Sequence, residues 1–155
     1  MEKYLRLLST KTTNYESIGG GSYGALTAQD VCIAISYAKL TVVQSHLVNL
    51  YALNQNTIDQ IKSATKIIQS ELVNANIAEL NDDHEISIFI ALVEICKCPG
   101  DYKPSERKRA VIGGVSRMRV QRHLNTVIDK FKAAFRNQIE IAGSKIESQI
   151  KSPVN

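Results

Sequence analysis

From Val120 to Ile150 the chain places apolar side chains at Val120, Leu124, Val127, Ile128, Phe131, Phe135, Ile139, Ala142, Ile146 and Ile150. A strand would alternate at every second residue, whereas steps of three and four follow the turn of an α-helix and draw one apolar stripe along it. The segment therefore predicts a single helix of many turns, with Gly143 as the place where it kinks or ends. So long a stripe has to be covered, and the rest of the chain is expected to supply helices that pack on it.

Three upstream stretches have the period to do so. Thr27 ahead of Ala28, Gln29 and Asp30 reads as a capped start, after which Val31, Ile35, Ala38, Val42, Leu47 and Leu50 predict a helix of roughly five turns, broken near Thr41. Asn54 to Thr57 mark a turn, and Ile58, Ile61, Ala64, Ile68, Leu72 and Val73 form a second amphipathic helix. The third stretch, EISIFIALVEICK from Glu85 to Lys97, has the Ile and Val content of a strand, yet Ile88, Leu92 and Ile95 keep helical spacing and helix is favoured. Asp82, Asp83 and Glu85 suit the positive end of that helix dipole. Cys98, Pro99 and Gly100 stop it.

The expected fold is all-α, a helical domain with a helix-turn-helix and a long C-terminal helix. Its parts are a mobile arm over residues 1–25, a helical region over 26–98, and the helix-turn-helix with its extended second helix over 103–151. At 155 residues and 44% hydrophobic content the chain can bury a core of its own. The arm ends in SIGGGSYGA; no Lys-Ser/Thr pair follows the three glycines, so they read as a linker and not as a phosphate loop.

Residues 105 to 128, SERKRAVIGGVSRMRVQRHLNTVI, carry the functional signal. In the 20-residue helix-turn-helix register a small residue stands fifth, glycine ninth, and apolar residues tenth, fifteenth and nineteenth; here these are Ala110, Gly114, Val115, Val120 and Leu124. Ala110 lets the second helix cross closely over the first. Gly114 takes positive φ without steric cost, and Ser116 caps the second helix. Arg117, Met118, Gln121, Arg122 and Asn125 then face away from Val120 and Leu124, as side chains that would enter a major groove. Arg109 and Gly113 depart from the pattern, since apolar residues are usual at both positions.

Charge points the same way. Residues 103–136 hold ten Lys and Arg (Lys103, Arg107, Lys108, Arg109, Arg117, Arg119, Arg122, Lys130, Lys132, Arg136) against Glu106 and Asp129, a net +8, while the whole chain is +4. Basicity that local suggests phosphate neutralisation by double-stranded DNA. The candidate DNA-binding residues are Arg107, Lys108, Arg109, Ser116, Arg117, Met118, Arg119, Gln121, Arg122 and Asn125, with Gly114 as the turn.

Other chemistries find little footing. His46, His84 and His123 are scattered, no nucleophile-base order is visible, and the chain reads as a non-enzyme without cofactor. Cys32, Cys96 and Cys98 are an odd count with no paired CxxC, so free thiols are expected and no metal. There is no apolar run of membrane-spanning length and no secretory leader, which predicts a cytoplasmic protein with no membrane partner.

Residues 26–53, LTAQDVCIAISYAKLTVVQSHLVNLYAL, resemble a segment of the late-gene antitermination proteins Q of lambda-like phages, through Leu26, Thr27, Asp30, Val31, Ala34, Leu47, Leu50 and Ala52. Lambda-type members carry a zinc-binding insertion with paired CxxC motifs that this chain lacks, so that role is not carried over. The resemblance implies a factor that binds DNA near a late promoter, loads onto bacterial RNA polymerase through the sigma factor and the β flap, and makes it read through terminators. Two other readings use the same hairpin. One is a repressor or activator acting as a homodimer on half-sites one helical turn apart; the other is a helical protein-interaction factor, such as an inhibitor of a host complex.

Overall fold

The computed structural model describes Leu5, Leu8, residues 26–98 and residues 102–151. The fold is all-α, with no strand among the described residues. Three threonines open helices in the same way. Thr27, Thr41 and Thr57 each accept from the backbone amide three residues on, and Asp30, Gln44 and Gln60 reach back to the threonine amide, so both free donors are satisfied. These boxes start α1 (Ala28–Tyr37), α2 (Val42–Leu47) and α3 (Ile58–Asn74). The break expected near Thr41 divides the stretch from Ala28 into two helices, because Lys39 takes positive φ (48°) and Thr41 caps the second. A π-turn over Val48–Ala52 prolongs α2.

Asn81 caps α4 (Asp82–Lys97), accepting from the His84 amide at 2.8 Å, with Asp82, Asp83 and Glu85 in the first turn. Ser87, Ile88 and every residue from Ile90 to Ile95 are buried. A helix covered on all sides loses its amphipathic period. This is why the stretch looks strand-like in sequence.

Next come α5 (Glu106–Gly113) and α6 (Arg117–Arg119), which passes through a π-turn (Val120–Leu124) into α7 (Asn125–Lys151). Val120 and Asn125 keep right-handed helical dihedrals, so the last three segments form one rod about 50 Å long. It does not end at Gly143. The roughly 1 kcal/mol that a helical glycine costs is outweighed by burial of Ala142 and Ile146 on either side of it, against Ala34, Ala38 and Val48.

The main core takes Leu47, Ile61 and Ile68 from the N-terminal helices, Ile88 and Leu92 from α4, and Val120, Leu124, Ile128 and Phe135 from the rod. The stripe is covered by the chain's own helices. Leu5 is 1% exposed, so this residue of the supposed arm is packed; burying a leucine contributes about 1.5–3 kcal/mol. The glycine-rich stretch lies outside the described residues.

Candidate nucleic-acid interface

The turn between α5 and α6 is built from local rules. Ser105 caps α5, accepting from the Lys108 amide. Gly114 sits at φ 63°, ψ 31°, and the Val115 amide donates back to the Ala110 carbonyl at 3.0 Å, closing the helix end. Ser116 accepts from the Arg119 amide at 3.2 Å and starts the next helix. Ala110 is buried and Val115 packs on the core. Gly113 is no defect: a Cβ there would lie 2.9 Å from Ile90 Cδ1 and 3.1 Å from Ile86 Cγ2, so the missing side chain is what lets α5 press against α4.

Beyond the turn, Val120 and Leu124 are fully buried while Arg117, Met118, Gln121 and Arg122 are exposed. The π-turn helps, since its wider winding brings residues four apart nearer to one line and keeps Val120, Leu124 and Ile128 together on the core side. Arg107 and Lys108 are exposed on α5, and Ser116 is exposed at the turn. Ser105, Glu106, Arg107 and Arg117 surround an open cleft of about 460 Å³ at the α5 N-terminus, where free amides and two guanidinium groups favour an anion.

Two of these cations have neighbours. Arg117 Nε donates to Glu106 Oε2 at 3.1 Å in an exposed pair. Such a pair is worth about 0–1 kcal/mol and a phosphate can replace it. Lys108 donates to the Tyr102 hydroxyl and lies 4.8 Å from the centre of its ring. That hydrogen bond raises the lysine pKa above its usual value and keeps the charge in place.

Arg109 belongs elsewhere, and its assignment to DNA is corrected. It is buried, donating through Nε to Glu94 Oε1 at 2.6 Å and through Nη2 to Glu94 Oε2 at 3.1 Å and to Asp129 Oδ1 at 2.6 Å. Desolvation opposes its charge, but the bonds and attraction of Glu94 and Asp129 prevail and hold its pKa above the ordinary arginine value. Asn125 accepts from Arg109 Nη1 and is half-buried, so it too is turned to this network and away from a groove. Lys132 Nζ completes the cluster, 2.7 Å from Glu94 Oε2. Arg119 is partly exposed but gripped by Asp83, with Nε 2.8 Å from Oδ1.

Sequence reading thus missed Glu94 and Tyr102, and placed Lys132 and Asp83 without their partners Glu94 and Arg119. Glu94 alone left a trace, as the one carboxylate inside the apolar run from Ile86 to Ile95. Asp83 and Glu94 bring two outside negative charges onto the +8 segment, leaving +6.

Among the described residues no His, Cys, Asp and Glu side chains converge as metal ligands, and no helix is long and apolar enough to cross a membrane. Burial pushes the Cys96 thiol up to about 11. No protein-family model, curated protein or solved structure matches the chain.

Proposed function

We propose that the protein is a DNA-binding transcription regulator, acting by binding and not by catalysis, whose second hairpin helix lays Arg117, Met118, Gln121 and Arg122 in a major groove while Arg107 and Lys108 hold flanking phosphates. The observation that carries this reading is the exposure of those four side chains together at a capped helix start, opposite a fully buried Val120 and Leu124. With Arg109 in the core and Arg119 on Asp83, four of the candidate cations remain, Arg117 and Arg122 for the groove and Arg107 and Lys108 for phosphates. Two neutralised phosphates give a log-log salt slope of about −1.8.

Fluorescence anisotropy on a labelled duplex pool, at stepped salt, tests this. A slope near that value supports the reading, and absence of binding at low salt sinks it. Substituting Gln121 or Arg122 by alanine costs about 1–3 kcal/mol at selected base pairs if they meet base edges, and weakens all sequences alike if they meet only phosphate.

The antitermination role, with RNA polymerase as partner through the sigma factor and β flap, rests on the resemblance of residues 26–53 together with the basic segment 103–136. Transcription in vitro past a terminator tests it, with readthrough rising on addition of the protein. The protein-interaction reading is favoured by one observation of its own, the exposed apolar Val111 and Met118 set among the basic residues of the hairpin. It is the reading left standing if DNA affinity is absent.

A further inference from the structure

We infer that the groove between α3, α4 and α5 is a binding site for an amphipathic monoanion of the medium-chain carboxylate class. The groove is open to solvent along one side and offers about 450 Å³, within the range of small-molecule sites. Ile86 and Phe89 of α4 and Val111 and Ile112 of α5 give it an apolar surface, and Lys62 and Lys66 of α3 line the same space.

The lysines are one helical turn apart, so both ammonium groups reach a single carboxylate. Both are exposed, and neither is ion-paired among the described residues. Glu85 also lines the groove, so two positive charges and one negative leave +1. One negative charge on the ligand balances it. The Thr65 hydroxyl is already committed to the Ile61 carbonyl at 2.8 Å, so recognition of the polar end falls to the lysines.

The ligand's tail has a reason to stay. Val111 is 78% exposed, an apolar side chain left in water beside the half-buried Ile86, Phe89 and Ile112. Covering such a patch is favourable in proportion to the apolar area removed from water. The Gly113–Gly114 backbone closes one wall, and a Cβ built on Gly114 would meet nothing within 4 Å, so that stretch of backbone is open to approach. The site stands independently of any DNA contact.

The test is a titration of the ¹⁵N-labelled protein with decanoate, below its micelle concentration, followed in the amide spectrum, with decanol as the uncharged comparison. Saturable shifts are expected at the Gly113 and Gly114 amides. Lys62→Gln with Lys66→Gln weakens decanoate about a hundredfold, about tenfold for each charge-assisted hydrogen bond lost, and leaves decanol unchanged. Val111→Asp, at a position exposed enough to leave the fold intact, abolishes binding of both. Shifts that do not saturate, that miss the two glycines, or that show the same affinity for decanoate in the double variant as in the parent overturn the inference.

Discussion

Replacing Glu94 by Gln removes one charge and almost no volume, so its effect isolates the electrostatics at the heart of the fold. The Glu94 side chain is 0% exposed and takes hydrogen bonds from Arg109 at 2.6 and 3.1 Å and from Lys132 at 2.7 Å. Removing one partner of a buried ion pair costs about 3–5 kcal/mol, because the other is left charged and unpaired. Arg109 keeps Asp129 at 2.6 Å and the Asn125 side chain, so its loss is partial. Lys132, with its side chain 11% exposed, loses its ion-pair partner. The expected cost therefore falls toward about 3 kcal/mol, which in a chain of this size lowers Tm by roughly 6–12 °C. Helical circular dichroism followed through thermal and urea unfolding measures it. Glu106→Gln, which breaks the exposed pair with Arg117, is the control and changes stability by less than about 1 kcal/mol. A Glu94→Gln protein that melts within about 1 °C of the parent refutes the reasoning. The companion variant with Leu at 94 and Met at both 109 and 132 is expected to be neutral or more stable, since buried ion pairs rarely outperform well-packed apolar groups.

Gly113→Ala pushes Ile90 and Ile86 aside at about 1–3 kcal/mol, offset by the roughly 1 kcal/mol that alanine gains over glycine in a helix, for a net loss of about 0–2 kcal/mol, whereas Gly114→Ala meets no atoms and costs only the left-handed strain of about 1–2 kcal/mol; α4–α5 amide shifts tell the two apart, because only the first moves the Ile86 and Ile90 signals. On the proposed DNA-binding reading, Asp83→Asn frees Arg119 for a further phosphate and steepens the salt slope by about 0.9; an unchanged slope means that Arg119 makes no phosphate contact even when free. At pH 8 the exposed Cys32 reacts with a disulfide reagent well ahead of Cys96, whose thiolate fraction is about a hundredfold below that of an unperturbed thiol. The folded Cys96 thiol titrates at about 11 against 9.0 for the ordinary group, so the folded state holds the proton longer and stability falls as pH rises from about 9 toward about 11, measurable as a declining urea midpoint.

What the sequence made legible was local. The cap at Thr27, the stop after Lys97, the turn at Gly114 and the cap at Ser116 depend on residues within a few positions of one another, and the amide and hydroxyl chemistry that makes them is written in adjacent letters. Boundaries were lost where a local signal was outweighed from a distance. Gly143 reads as a stop only while nothing is packed beside it; Ala34 and Ala38, more than a hundred residues earlier, make its helix worth continuing. Gly113 reads as a missing apolar contact until Ile86 and Ile90 are known to occupy the space that such a side chain would need.

The same distinction decides how much of the basic segment can be functional surface. Counting charge along the chain treats Arg107, Arg109, Arg117 and Arg119 as equals. In space their fates divide by which carboxylate each can reach: Arg109 faces inward to Glu94, fifteen residues away in sequence, and Arg119 meets Asp83, thirty-six away. Arg107 stays outside, and Arg117 finds only the exposed Glu106. Because Glu94 lies in the fully buried stretch of α4 from Ile90 to Ile95, its charge is met by partners from both α5 and α7. The arginine that breaks the helix-turn-helix pattern is thus the one that ties the hairpin to the core. Its basic character serves the fold, and the outward face is left to fewer cations.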